Sequence, residues 1–124
     1  MSIAALNYVG ELMKSSGIPY QFGEWVGEIP DRYYVGEYME DDSPTKEEDG
    51  SQGTTFILNG WTRGNPILFE QDKETIERFL PQSRMNPDGS CVAVFYSNAF
   101  SVPTGDGTLK RIQINLTIKE WKVI

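Results

Sequence analysis

Carboxylates are the residues whose type and spacing come closest to chemistry in this chain. Glu40, Asp41, Asp42, Glu47, Glu48 and Asp49 crowd a stretch broken by Pro44, Gly50 and Gly53. A calcium-type loop needs acids at alternate positions, a central glycine and a glutamate at the twelfth. Asp41-Asp42-Ser43-Pro44-Thr45-Lys46 departs from that pattern, with proline and lysine in the way. The stretch therefore reads as a solvated loop, residues 40–53, that orders on meeting a basic partner surface. Its six acids are candidate partner contacts. Tyr34 joins them, because Tyr33 and Tyr34 in one strand must point to opposite faces, and one is exposed unless both faces are covered. Glu24 and Glu37 could be imagined as an acid–base pair, but such a pair needs a shaped pocket and split pKa values.

Other chemistries are excluded by composition. The chain has no histidine, which removes Ser-His-Asp and Cys-His catalysis, histidine metal sites and histidine pH switches. The one cysteine, Cys91, opens the apolar run Cys91-Val92-Ala93-Val94-Phe95-Tyr96 and reads as a buried strand thiol without a basic neighbour to activate it. Gly105-Asp106-Gly107 is a turn, and no Gly-x-Gly-x-x-Gly run or Walker lysine is present. Asn115-Leu116-Thr117 matches a glycosylation sequon that has no meaning in a cytoplasmic strand. The expectation is a non-enzymatic protein without cofactor or metal.

The elements that position these residues belong to one domain. At 124 residues, 39% hydrophobic and 23% charged, the chain suits a single globular unit with a real core. The net charge is −7, which argues against a nucleic-acid grip and against docking on an anionic membrane. Residues 37–49 hold seven acids against Lys46, a charge of −6, so the rest of the chain is close to neutral. No signal-peptide pattern opens the sequence and a lone cysteine suits a reducing compartment, so an intracellular setting is expected.

Ile3, Leu6, Val9 or Gly10, and Met13 recur at helical spacing, with Ser2 as cap and Gly17 as stop. The spacing predicts a helix over residues 2–15, then a short extended piece over residues 18–25. Arg32-Tyr33-Tyr34-Val35-Gly36-Glu37-Tyr38 and residues 54–61 read as strands joined through the acidic loop. Asn65-Pro66 starts a second helix, as cap and first helical residue, that runs to about Leu80. Asn86-Pro87-Asp88-Gly89 is a turn. Residues 91–96 form an apolar strand inside the sheet, and residues 98–107 a linking segment. Ile112, Ile114, Leu116 and Ile118 alternate with polar residues, and the phase change at Trp121 predicts a bulge near Glu120. The expected fold is α+β: a single-layer, mostly antiparallel sheet of about four strands with two helices on one face. The sequence shows no internal repeat.

The whole order resembles the tail-terminator, or tail-completion, proteins of long-tailed bacteriophages and prophages. The resemblance rests on the opening helix over residues 3–15, then Ile18-Pro19-Tyr20-Gln21-Phe22-Gly23-Glu24-Trp25, and the strand from Tyr33 to Tyr38. It continues through the variable acidic loop, the segment from Thr54 to Gly64, and the closing segment from Leu109 to Trp121. It implies a structural protein that caps the tail tube as a six-membered ring and joins tail to head. The implied partners are its own copies, the tail-tube protein and the head–tail connector. The implied setting is the host cytoplasm during assembly and then the virion. A ring of six would gather the acidic loops into a strongly negative rim. The alternatives are another neck or minor capsid connector, or an acidic inhibitor of a basic enzyme. The inhibitor is disfavoured because the charge sits on one stretch.

Overall fold

The computed structural model describes residues 1–40 and 52–122. Helix α1 spans Ile3–Ser16. The Ser2 side chain accepts the Ala5 amide at its start, and Gly17 ends it in the left-handed conformation that glycine adopts without a Cβ penalty. Strand β1, Tyr20–Phe22, follows directly. Strands β2, Arg32–Glu40, and β3, Gln52–Thr62, lie antiparallel. Helix α2 spans Ile67–Phe79. Pro66 already has helical angles and Asn65 Oδ1 accepts the Ile67 amide at 3.0 Å, so asparagine caps and proline leads, as its residues predict. Strands β4, Gln82–Met85, β5, Cys91–Val102, and β6, Lys110–Trp121, complete the chain.

The six strands form one curled sheet in the order β1-β2-β3-β6-β5-β4. This enlarges the expected four strands in two places. The extended piece before residue 25 supplies β1, which pairs parallel with β2 from Tyr20↔Tyr34 to Phe22↔Gly36. Residues 82–85, polar and too short to show a period, form β4 at the opposite edge. Two further expectations are corrected. Strand β5 does not stop at Tyr96: it continues to Val102 past a register shift between Tyr96 and Asn98. The register shift therefore belongs to β5, whereas β6 runs on through Glu120↔Val92 and Trp121↔Cys91. Trp121 is odd-numbered because it faces the polar side of the sheet. Strand β5 is interior, between β6 and β4.

Both helices cover the same face. Even-numbered residues of β2, β3 and β6 point inward: Tyr34, Phe56, Leu58, Ile112, Ile114, Leu116 and Ile118 join Ala5, Tyr8, Val9 and Met13 of α1 and Phe69 and Ile76 of α2 in one buried cluster. Each fully buried large side chain of this kind contributes ~1.5–3 kcal/mol. Two glycines let the aromatic rings in. A Cβ on Gly60 would lie 2.5 Å from the Tyr34 ring and 2.9 Å from Ile112. One on Gly36 would lie 2.7 Å from Phe56 and 2.8 Å from Tyr20.

Gly60→Ala should therefore lower unfolding stability by about 2–3 kcal/mol through overpacking against a ring that cannot swing away. Gly10→Ala, in helix α1 with open space around the new methyl, should raise it by up to ~1 kcal/mol. Urea unfolding of the two variants checks both signs.

Candidate functional site

The face opposite the helices is built from the odd-numbered residues of β2, β3 and β6 and, past the register shift, the even-numbered residues of β5. Its upper edge is an aromatic row. Tyr33 of β2 stacks on Trp61 of β3 with centroids 5.4 Å apart and meets Trp25 at 5.3 Å. The Arg111 guanidinium lies over the other side of Trp61 at 5.3 Å. A polar relay crosses the strands beside it. Arg111 Nη2 donates to Asn59 Oδ1 at 2.8 Å, and Asn59 Nδ2 donates to Glu37 Oε1 at 3.2 Å. Further along, Gln113 donates to Asn115, Asn115 donates to Asn98, and the Ser97 and Thr117 hydroxyls lie 2.6 Å apart. The amides largely satisfy one another, so this surface is ordered rather than held by a covering element. Around it stand large exposed apolar side chains, Met39 at 64% and Phe100 at 48%.

Next to the aromatic row, residues 23–31 form a connection held at several points. The Gln21 side chain donates to the Val26 carbonyl and accepts its amide, both at 3.0 Å. Trp25 Nε1 donates to the Glu28 carbonyl, and Thr62 Oγ1 donates to that of Asp31. Gly23 and Gly27 take positive φ. The loop so fixed presents Val26 and Ile29 to solvent, each over 60% exposed.

Among the described residues the one deeply buried acid lies elsewhere. Asp72 of α2 is 4% exposed, and its Oδ2 accepts Arg32 Nε at 2.6 Å and the Tyr34 hydroxyl at 2.7 Å. Every partner in this cluster is engaged with another, which suits a joint between helix and sheet. Burial, and then the adjacent Asp72 carboxylate, push the Tyr34 phenol far above its ordinary value. Burial alone pushes Tyr20 up to about 12.

The predicted contact residues divide. Tyr34 is corrected: it is completely buried, because even positions of β2 face the helices, and Tyr33 is the outward member of the pair. Glu40 ends β2, exposed, with an ion pair to the Met1 amino group. Asp41, Asp42, Glu47, Glu48 and Asp49 lie outside the described residues. Glu24 and Glu37 are both exposed: Glu37 is engaged by Asn59, and Glu24 stands in the 23–31 loop. Cys91 is half-buried at the start of β5 rather than deep in the core. Asp72, which the sequence reading passed over, had one signal: position 72 falls between Phe69 and Ile76 on the apolar stripe of α2. The Arg111–Asn59 relay had no signal beyond the polar alternation of β6.

Among the described residues no group of three or more acids and cysteines is placed to hold a metal ion, and no helix is long and apolar enough to cross a membrane. The chain matches no protein-family model and no curated protein.

Alkaline pH tests the buried cluster. The folded protein holds the Tyr34 proton well beyond the unfolded value near 10. Its stabilisation is complete below pH 10 and is lost as pH rises above it, by up to ~1.4 kcal/mol per pH unit for this group. Tyr34→Phe should remove that share of the slope and cost about 1.5–3 kcal/mol at pH 7 through the lost hydrogen bond to a charged group. Urea unfolding of both proteins at pH 7 and between pH 10 and 11.5 measures the difference.

Proposed function

We propose that this chain is a structural morphogenesis protein of a long-tailed phage or prophage, one that caps the tail tube and joins tail to head as a ring of identical copies. The observation that carries the reading is the one-sided coverage of the sheet. Both helices lie on one face. The other face carries the half-buried rings of Tyr33 and Trp61 and the exposed side chains of Phe100 and Met39, with a hydrogen-bonded loop beside them that exposes Val26 and Ile29. Ordered, uncovered apolar surface of this kind is what assembly uses. The choice of the tail terminator among assembly proteins rests on the likeness of its segments, from the opening helix to the closing strand, to that family. Among the described residues the space of about 540 Å³ lined by Ile29, Tyr33, Arg63 and Leu109 is a partly open groove, a shape that also suits contact with another protein.

Electron microscopy of particles from a phage or prophage lacking this gene tests the proposal. Overlong, headless tails beside filled, tailless heads are the expected result. Normal tails with empty or leaking heads would transfer the protein to the neck. Unchanged particles would overturn the assembly role and return attention to a basic protein partner.

A further inference from the structure

We infer that the clamped loop of residues 23–31 docks on a second copy of this chain, its Val26 and Ile29 seating in the groove beside the β5–β6 hairpin of the neighbour. The inference rests on the ring reading above and names the two surfaces that would close the ring.

The loop has the features of an anchor. Exposed apolar side chains on a mobile loop cost ordering entropy when they bind. Here that cost is met in the free protein by Gln21, by Trp25 tilted against the stacked Tyr33–Trp61 pair, and by the Thr62 hydroxyl. The same stretch carries Glu24, Glu28 and Asp31 and no base from Ser15 to Asp31. None of those three carboxylates makes an ion pair among the described residues.

The groove has the complementary features. Its volume is about 510 Å³, and Pro66, Phe69, Val102, Pro103, Leu109 and Lys110 line it. The acids at its margin, Glu70 and Asp106, are already paired, to Lys73 and Arg63. Lys110 is exposed and makes no ion pair among the described residues. The charge left unpaired is negative on the loop and positive at the groove, which is the arrangement that sets orientation between two protein surfaces.

Within one copy the two surfaces adjoin at Leu109, which lines the groove and also the space beside Ile29. One register row runs Ser101–Ile112–Gly60–Tyr34–Tyr20, so Ser101 at the groove stands four strand spacings from β1, roughly 19 Å. A loop passed from copy to copy gives a heterologous, head-to-tail contact, the kind that closes rings, whereas two copies that exchange loops give a closed two-fold dimer.

Disulfide trapping tests this with the full chain in a Cys91→Ala background. Gln21 holds the Val26 backbone at the β1 edge, so Val26→Cys and Ser101→Cys in one molecule lie beyond disulfide reach of each other. On oxidation they should give a ladder of dimers, trimers and higher species, at least tenfold more than Val26→Cys combined with Asp88→Cys in the distant β4–β5 turn. Glu28→Lys should slow the ladder about tenfold at low salt, and adding Lys110→Glu should restore it. Circular dichroism confirms that each variant is folded. Cross-linking no greater than the Asp88→Cys control overturns the inference. A product that stops at the dimer overturns the head-to-tail geometry in favour of a two-fold contact, and failure of Lys110→Glu to rescue overturns the charge pairing. Overlong tails in the deleted phage together with an absent ladder would leave the capping role standing and this contact refuted. A ladder with unchanged particles would do the reverse.

Discussion

The packing of this molecule depends on one contact, the Tyr34 ring lying across the bare backbone of Gly60 with its hydroxyl on Asp72. The ring needs the space that only glycine leaves. The hydroxyl needs a partner, because a buried phenol without one loses its hydrogen bond to water. Asp72 supplies it and is itself neutralised by Arg32 from the same strand. One residue of β2 thus fixes the depth of the strand pair, the position of α2 and the ionic balance beneath it. The neighbouring site repeats the geometry on a smaller scale, with Gly36 yielding to Phe56 and Tyr20.

From that contact the division of the sheet follows by parity. If Tyr34 points to the helices, then Tyr33, Val35, Glu37 and Met39 point away, and the register carries the same assignment across β3 and β6. The inner set is aliphatic and aromatic. The outer set mixes amide, hydroxyl, guanidinium, carboxylate and ring with the aliphatic side chains of Val35, Met39 and Ile57. A surface that lacks a covering helix has been given its own lateral order instead, through side chains that bridge strand to strand.

Much of this was legible in the residues. Ser2, Gly17, Asn65 and Pro66 mark helix ends by mechanisms that act within a few residues, and all four act as expected. The alternation of Ile112, Ile114, Leu116 and Ile118 assigns the buried face of β6. What the sequence hid depends on distant partners. Strand β1 has three residues and exists because β2 is there to pair with it. Strand β4 is polar and short, and exists because β5 extends past it. The side on which Tyr33 and Tyr34 each fall could not be decided locally, since two adjacent tyrosines are chemically equal until Gly60 makes room for one of them. The acids of residues 41–49, which drew attention first, lie outside the described residues, and the ordered anchors of the candidate surface are apolar and aromatic residues that resemble core residues when read one at a time.

The strand order has a further consequence. It splits into β1-β2-β3 and β6-β5-β4, and each half is one helix followed by three strands in sequence, although no sequence repeat announces it. Within the sheet the halves join where β3 lies against β6, a seam whose partners range from Thr62↔Lys110 to Gln52↔Glu120, 48 to 68 residues apart along the chain. Pairings within the β2–β3 and β5–β6 hairpins are far more local at their near ends. Loop-closure entropy therefore falls on the seam, and the chain behaves in kinetic terms as two αβββ pieces that gain a common core when β3 and β6 zip together.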